Sequence, residues 1–228
     1  GGPAAAAGHR HAIGFITAAQ HSYSSCQQYR ENVAAARADL RTDGEDVDVT
    51  FVGSWFDHPL FVAANAAHVR EAIARLPEHV RSRARLICTA HSIPVPMAAA
   101  SRYEDQLRES ARLVAEKAGV RDWTVVYQSR SGRPGDPWLE PDVCDYLRRE
   151  RAVGLDAAVI CPIGFVCDHI EVLYDLDREA ADVSREIGLP MARAEADNDD
   201  PLFLDMMADM VRRTIARYGH GRPLPLGS

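Results

Sequence analysis

Short runs of apolar and β-branched residues alternate with longer helical patterns along this chain, and this alternation restricts the fold more than any other feature. The apolar runs predict strands at 12–17, 47–52, 85–90, 123–128 and 156–162, with a further short strand at 190–194. Helical patterns cover 24–41, 59–76, 104–118, 142–151 and 201–218, and another follows the fifth strand through Ile187. This order predicts an α/β fold in which helices cover both faces of a parallel sheet.

The predicted sheet directs attention to three loops. In parallel α/β sheets, ligands bind beyond the carboxyl ends of the strands. The loops that begin at Ala90, Gln128 and Pro162 follow successive strands and would therefore meet at one edge of the sheet. Two helix ends can also be predicted from the sequence. Ser24 or Ser25 is the expected N-terminal cap of the helix at 24–41, and Gly119 is expected to end the helix at 104–118.

Charge and motif content exclude several classes of function. The net charge is −7 and the 26 Lys and Arg residues are scattered, so a nucleic-acid surface is not expected. No apolar run reaches the length of a membrane span, and the start lacks the order of a signal peptide. The five cysteines include no CxxC pair, which favours reduced thiols and a cytoplasmic protein. There is no GxGxxG, P-loop or GxSxG motif.

The first two loops carry candidate functional side chains. His91 lies one or two residues past a predicted buried strand, where its imidazole can take a proton or bind a metal near neutral pH. It could equally be a loop histidine that is hydrogen-bonded to the backbone. In the second loop, Trp138 offers a flat apolar face or a lid over the core. Arg130 and Arg133 could meet an anionic ligand, although solvated loop charges are the favoured interpretation.

The third loop leads into a stripe of carboxylates. Glu171, Asp175 and Glu179 are spaced four residues apart and would lie on one side of a helix. Three neighbouring carboxylates repel each other, and a bound cation or water would relieve that cost. A mixed histidine and carboxylate site suits ferrous iron. The alternative is an ordinary solvated helix face.

Four segments, in order and at similar spacing, resemble ferrochelatase motifs: TAHSIP (89–94), YQSRSG (127–132), PWLEPDV (137–143) and PIGFVCDHIEVLYDLD (162–177). Weaker similarity extends from about residue 12 to residue 218. The chain is therefore identified as a member of the ferrochelatase family, which implies a flavodoxin-like, chelatase-type sheet. Three shorter sequences are most similar to those of Gram-positive and actinobacterial members: SYSSC (22–26), SRSG (129–132) and LEPDV (139–143).

The resemblance implies a role for each matching residue. His91 and Glu171 would be the catalytic pair facing each other across the porphyrin, with Asp175 and Glu179 as an acidic ladder on a widened, π-type helical stretch. The implied metal-handling set is His91, Glu171, Asp175 and Glu179. The implied substrate-binding residues are Tyr29, Trp138 and Phe165, and the implied supporting residues are Ser129, Asp168 and His169.

The family's activity is the insertion of Fe²⁺ into a porphyrin during haem biosynthesis. Similarity to the actinobacterial type favours coproporphyrin III, with protoporphyrin IX second. Cys26 matches a ligand of a [2Fe–2S] cluster in some relatives, but no cysteine follows Cys167. A four-cysteine cluster at the family's positions is therefore not expected.

The resemblance also bears on domain organisation. Ferrochelatases have two similar α/β domains with the porphyrin between them, and this chain resembles the C-terminal one. We expect a poorly ordered Ala- and Gly-rich start at 1–11, one α/β domain at 12–218 and a tail at 219–228. An N-terminal domain or a second chain would close the cleft. The alternatives are a non-catalytic tetrapyrrole- or metal-binding module and a chelatase of the cobalt or sirohydrochlorin type.

Overall fold

The computed structural model describes residues 11–42, 47–133 and 135–219. Apart from residues 11 and 219, the segments expected to be a poorly ordered start and a tail lie outside the described residues. Within the described ranges, no helix is long and apolar enough to cross a membrane.

Strands of the described residues form two separate parallel sheets. The larger sheet has the order β4-β3-β5-β6, and the smaller one pairs β1 with β2. The strand bounds are β1 His11–Gly14, β2 Asp48–Phe51, β3 Ala84–His91, β4 Trp123–Gln128, β5 Ala157–Cys161 and β6 Met191–Arg193.

The larger sheet confirms the predicted fold class. All five residues of β5 are buried, and so are six of the eight in β3, as expected for strands covered on both faces. These strands pair in parallel with Cys88 opposite Cys161, and β3 pairs with β4 up to His91 opposite Gln128. The carboxyl ends of β3 and β4 therefore lie side by side.

Helices pack on both faces of this sheet. The α-helices are α1 Gln28–Thr42, α2 Pro59–Arg75, α3 Glu78–Arg81, α4 Val95–Ala99, α5 Tyr103–Ala118, α6 Val143–Ala152, α7 Ile170–Tyr174, α8 Ala181–Glu186 and α9 Pro201–Gly219. Two π-helices, π1 Tyr23–Gln27 and π2 Asp175–Ala180, are continuous with α1 and with α7 and α8. Helices α2, α5 and α9 cover one core and α6 to α8 cover the other.

Among the described strands, β1 and β2 pair only with each other and do not join the larger sheet. An aromatic cluster accounts for their position. Trp55, four residues after β2, is buried and packs edge-on against Phe61 of α2 and Phe203 of α9. Its ring also lies 5.9 Å from Phe15, which follows β1. The pair is thus anchored on the helical layer and not along an edge of the larger sheet.

Helix ends agree with the predictions, with one exception. Gly119 ends α5 in a left-handed conformation (φ 77°), which glycine adopts without strain. The cap at the start of π1 is Ser22, not Ser24 or Ser25. The Ser22 hydroxyl accepts a hydrogen bond from Ser25 N, and Ser25 Oγ accepts one from Ser22 N. The helix begins at Tyr23, and the reciprocal hydrogen bonds between Ser22 and Ser25 make the residue before it the cap.

Candidate functional site

A cavity of about 930 Å³ separates the two sheets. One wall comes from the ends of β1 and β2, from the segment after β1, from π1 and from α1, and includes Tyr29 and Phe51. The opposite wall comes from the ends of β3 and β5 and from the loop after β4, and includes His91, Trp138 and His169. The three loops nominated by the sequence thus lie on one wall, as the rule for parallel sheets predicts.

His91 is the last residue of β3, so the strand reaches one residue further than expected. Its side chain is one-third exposed on the cavity wall. The ring Nδ1 is paired with the carbonyl oxygen of Ser92, and Tyr103 donates its hydroxyl proton to the carbonyl oxygen of His91 at 2.9 Å. Because a carbonyl can only accept, Nδ1 carries the proton in the neutral ring. Nε2 then keeps its lone pair.

That free nitrogen faces Glu171. The distance from His91 Nε2 to Glu171 Oε1 is 3.8 Å, and the Glu171 side chain is half exposed. Glu171 lies in the first turn of α7, where His169 is the cap and its Nδ1 accepts a hydrogen bond from Glu171 N at 3.2 Å. The sequence-predicted pair is therefore brought together, with the Glu171 carboxylate opposite the imidazole nitrogen that does not contact Ser92.

The carboxylate stripe continues from α7 into π2, as the resemblance implied. Glu179 is exposed, but Asp175 is half-buried. The Asp175 carboxylate accepts a short hydrogen bond from Ser129 Oγ and another from Gln128 Nε2 at 3.3 Å. No group of three or more His, Cys, Asp or Glu side chains in the described part of the chain is arranged to enclose a metal ion. The stripe is thus open to solvent and not a closed metal cage.

Two residues at the end of β4 hold this stripe in place. Ser129 has a positive φ of 60°, a conformation that costs energy for a non-glycine residue and that clusters at functional sites. Gln128, which the sequence reasoning missed as a site residue, is buried and also donates to the carbonyl oxygen of Glu171 at 3.2 Å. Its position at a strand end, inside a family motif, was the signal that could have identified it.

Asp168 supports the loop before α7. One carboxylate oxygen accepts from Arg193 Nη1 at 2.8 Å and the other from Asn198 Nδ2 at 2.9 Å, while Asn198 Oδ1 accepts from Asp168 N. Neither Asn198 nor Arg193 was singled out from the sequence. They lie 30 and 25 residues further along the chain, and no local pattern connects them to the loop.

Of the three predicted substrate-binding residues, Tyr29 and Trp138 line the cavity and Phe165 does not. Phe165 is buried in the core next to α7, and its ring packs edge-on against His169 at 5.2 Å. Trp138 is set close to the backbone of Gly132, where a β-carbon would lie 1.9 Å from the indole nitrogen. Only glycine permits that approach, which fixes the indole against its own loop.

Comparison with known proteins gives a consistent result. A family model described as Ferrochelatase matches residues 3–215. The coproporphyrin III ferrochelatase of Mycolicibacterium smegmatis is 45% identical over 219 residues, covering 95% of this chain and 63% of the relative. The ferrochelatase of Rhodopirellula baltica is 45% identical over 211 residues, covering 92% of this chain and 59% of the relative. The chain thus spans about 60% of the length of the curated relatives that it matches.

Solved structures with the same fold are much less similar in sequence. SirB from Bacillus subtilis with Fe³⁺ superimposes with a TM-score of 0.68 at 12% identity, covering 96% of this chain and 77% of that one. CbiX, described as the terminal enzyme for biosynthesis of sirohaem in denitrifying bacteria, superimposes with a TM-score of 0.56 at 14% identity, covering 90% and 76%. At these identities the likeness shows a shared fold.

Proposed function

The chain belongs to the ferrochelatase family, and we propose that it inserts Fe²⁺ into a porphyrin. The observation that carries this proposal is the 3.8 Å approach of Glu171 Oε1 to Nε2 of His91, a side chain that lines a large cavity. A cavity of about 930 Å³ is at the upper end of the range of small-molecule sites, which suits a flat macrocycle.

The tautomer of His91 supports its role as the base. A free-base porphyrin must lose two N–H protons when a divalent metal enters. With Nδ1–H directed at the Ser92 carbonyl, Nε2 can accept a pyrrole proton from a substrate in the cavity. The imidazolium formed in this way would face the Glu171 carboxylate, which stabilises the positive charge.

The acidic ladder gives a path along the helix. Starting beside the cavity-lining His91, the carboxylates of Glu171, Asp175 and Glu179 follow one another along α7 and π2. We propose that iron arrives, or protons leave, along these carboxylates. Because Asp175 is already hydrogen-bonded by Ser129 and Gln128, we expect Glu171 and the exposed Glu179 to make most of the contacts with a mobile cation.

Several of the most similar relatives are named coproporphyrin III ferrochelatases, including those of Mycolicibacterium smegmatis and Nocardia farcinica. We therefore propose coproporphyrin III as the substrate and protoporphyrin IX as the second choice. The cysteines are free in the structure, which fits a reducing compartment and a cytoplasmic site of action.

We further propose that additional protein closes the cleft. This chain spans about 60% of the relatives' length, and the wall formed by α1 has no buried residue. Either the N-terminal region that the relatives possess or a second chain would cover that wall.

An anaerobic absorbance assay tests these proposals. The purified chain is mixed with Fe²⁺ and coproporphyrin III, or with protoporphyrin IX, with and without the relatives' N-terminal region added in trans. Faster loss of the free-base bands than in protein-free buffer, with coproporphyrin III preferred, is the expected result. Tight porphyrin binding without metal insertion under all conditions would instead identify a binding module.

A further inference from the structure

Arg193 connects three segments that surround the candidate site. It is the last residue of β6, and its guanidinium is largely buried. Nε and Nη2 donate to the two carboxylate oxygens of Asp177 at 2.6 and 2.9 Å, while Nη1 donates to Asp168 at 2.8 Å. A single planar group thus binds one carboxylate in the loop before α7 and another within π2.

The positions of Asp168 and Asp177 show which segments Arg193 can hold in place. Asp168 directly precedes His169, the residue that caps α7 and receives the backbone N–H of Glu171. Asp177 lies two residues beyond Asp175, roughly half a helical turn away from the carboxylate stripe. Arg193 therefore fixes the loop that begins the acidic helix, and it holds π2 from the side opposite the stripe.

A wide helical turn needs such external contacts. π-helical turns are rare and occur mostly as short segments at functional sites, so local propensity alone does not favour one. The stripe adds repulsion between Glu171, Asp175 and Glu179. An arginine that is hydrogen-bonded to two acidic groups opposes both effects. Lysine has no planar fork and cannot bind Asp177 with two bonds while also reaching Asp168.

We propose that Arg193 is a positioning residue that holds π2 in its widened form and thereby keeps the carboxylate stripe aligned with His91, which Glu171 approaches to 3.8 Å. The inference rests on the proposed iron insertion for its functional consequence. It does not make Arg193 a ligand or a base, because its donors are directed at Asp177, Asp168 and the carbonyl oxygen of Ala194.

The test compares Arg193→Lys with Arg148→Lys. Arg148 pairs with Glu186 at 2.9 Å and so ties α6 to α8, outside the cavity lining, which makes it a matched control. Steady-state rates are measured while Fe²⁺ and porphyrin are varied separately. We expect Arg193→Lys to raise the KM for Fe²⁺ on the order of tenfold, because it displaces the carboxylates proposed to contact the cation and displacements of about 1 Å have steep effects. The porphyrin KM should stay within about twofold, and Arg148→Lys should match the wild type.

Asp177→Asn is the second variant, because it weakens only the contact with π2 and leaves the buried Arg193–Asp168 pair in place. It should shift the KM for Fe²⁺ in the same direction by a smaller factor. A simply structural role would reduce the amount of folded enzyme and leave both KM values unchanged. An unchanged KM for Fe²⁺ in folded Arg193→Lys and Asp177→Asn proteins would overturn the inference.

Amide hydrogen exchange separates this inference from the proposed function. Arg193→Lys should speed exchange in Asp175–Ala180 and leave β3 and β5 as protected as in the wild type. If the wild-type protein inserts no iron, the proposed function fails and the exchange result decides the inference alone. Equal protection of π2 in Arg193→Lys and Arg148→Lys would then contradict it.

Discussion

The two walls of the cavity differ in how closely their residues are packed. The wall that carries His91 belongs to a sheet whose strand β5 is completely buried and whose helices have filled cores on both faces. The wall that carries Tyr29 belongs to a two-stranded parallel sheet and to α1, none of whose residues is buried. The packed wall can hold side chains such as His91 and Glu171 at a fixed distance from each other. The open wall supplies surface, including Tyr29, that a ligand in the cavity can contact.

This difference in packing suits the two regions to different tasks. Catalytic groups need positions that are fixed to within a fraction of an ångström, which only a packed scaffold supplies. A two-stranded sheet is marginally stable by itself, and parallel sheets are ordinarily covered on both faces. Under the proposed function, the metal chemistry is expected on the packed wall, and the open wall is expected to act on porphyrin binding once further protein covers it.

The largest predicted effect concerns matched core deletions in the two regions. Leu147 of α6 is fully buried, whereas Leu40 of α1 is only half-buried. Leu147→Ala should lower the free energy of unfolding by about 2–5 kcal/mol, and Leu40→Ala by less than about 1 kcal/mol. Urea denaturation measures both values. Similar losses in the two variants would show that α1 is as well packed as the larger sheet and would remove the basis of the comparison.

The two ends of the carboxylate stripe should differ in their contribution to kcat. Glu171 lies 3.8 Å from His91, whereas Glu179 is two helical turns away and exposed. We expect Glu171→Gln to lower kcat about 100-fold, as loss of a charge facing the reaction does, and Glu179→Gln to lower it less than about tenfold. Equal losses in steady-state assays would argue against Glu171 as the carboxylate that faces the porphyrin.

The packed region also contains a buried acid that makes stability depend on pH. Burial raises the pKa of Asp197 to about 8, although Asn65 Nδ2 donates a hydrogen bond to its carboxylate at 2.9 Å. The folded protein then keeps a proton that the unfolded chain releases near pH 4. The free energy of unfolding should therefore fall by about 1 kcal/mol per unit as the pH rises from about 4 to about 8.

Substitution isolates this contribution. Asp197→Asn should be more stable than the wild type at pH 8, and the difference should shrink towards pH 4. Asp199→Asn, an exposed position in the same loop, is the control and should leave the pH profile as it is. Parallel profiles of unfolding free energy for wild type and Asp197→Asn would mean that Asp197 does not retain its proton in the folded state.

The smallest predicted effect lies on the open wall. Tyr29 lines the cavity but is more than half exposed. Tyr29→Ala should raise the porphyrin KM about fivefold, the loss expected for one aromatic contact, while kcat changes little. Tyr23→Ala, an exposed tyrosine outside the cavity lining, provides the control. A fall in kcat as large as that of Glu171→Gln would place chemistry on both walls.

The alternation of strands and helices predicted most elements of the fold, because each buried strand is a continuous apolar run and each helix has a recognisable end. Strand 123–128 was predicted with its exact bounds, and the helix at 59–76 differs by one residue. The division into two sheets was not predictable in this way. Apolar runs identify strands, but the pairing of β1 with β2 depends on long-range contacts such as those of Trp55.

Long-range contacts also limited what the sequence could predict about the candidate site. His91 and Glu171 were found because they follow predicted strands and belong to family motifs. Gln128, Arg193 and Asn198 were missed because their functions depend on partners 25 to 47 residues away in the sequence. Phe165 was assigned to the substrate from the resemblance, yet it lies in the core and holds the ring of His169. A family motif identifies residues near the site, but it does not show which of their side chains face the cavity.

The most direct measurement is the rate of iron insertion into coproporphyrin III by His91→Ala, compared with His79→Ala, an exposed histidine of α3. Removing a general base should lower the rate about 100-fold or more, and the thermal midpoint should hardly change because His91 is part-exposed and makes few contacts. His79→Ala should behave as the wild type. Unimpaired insertion by a folded His91→Ala protein would contradict the account at its centre.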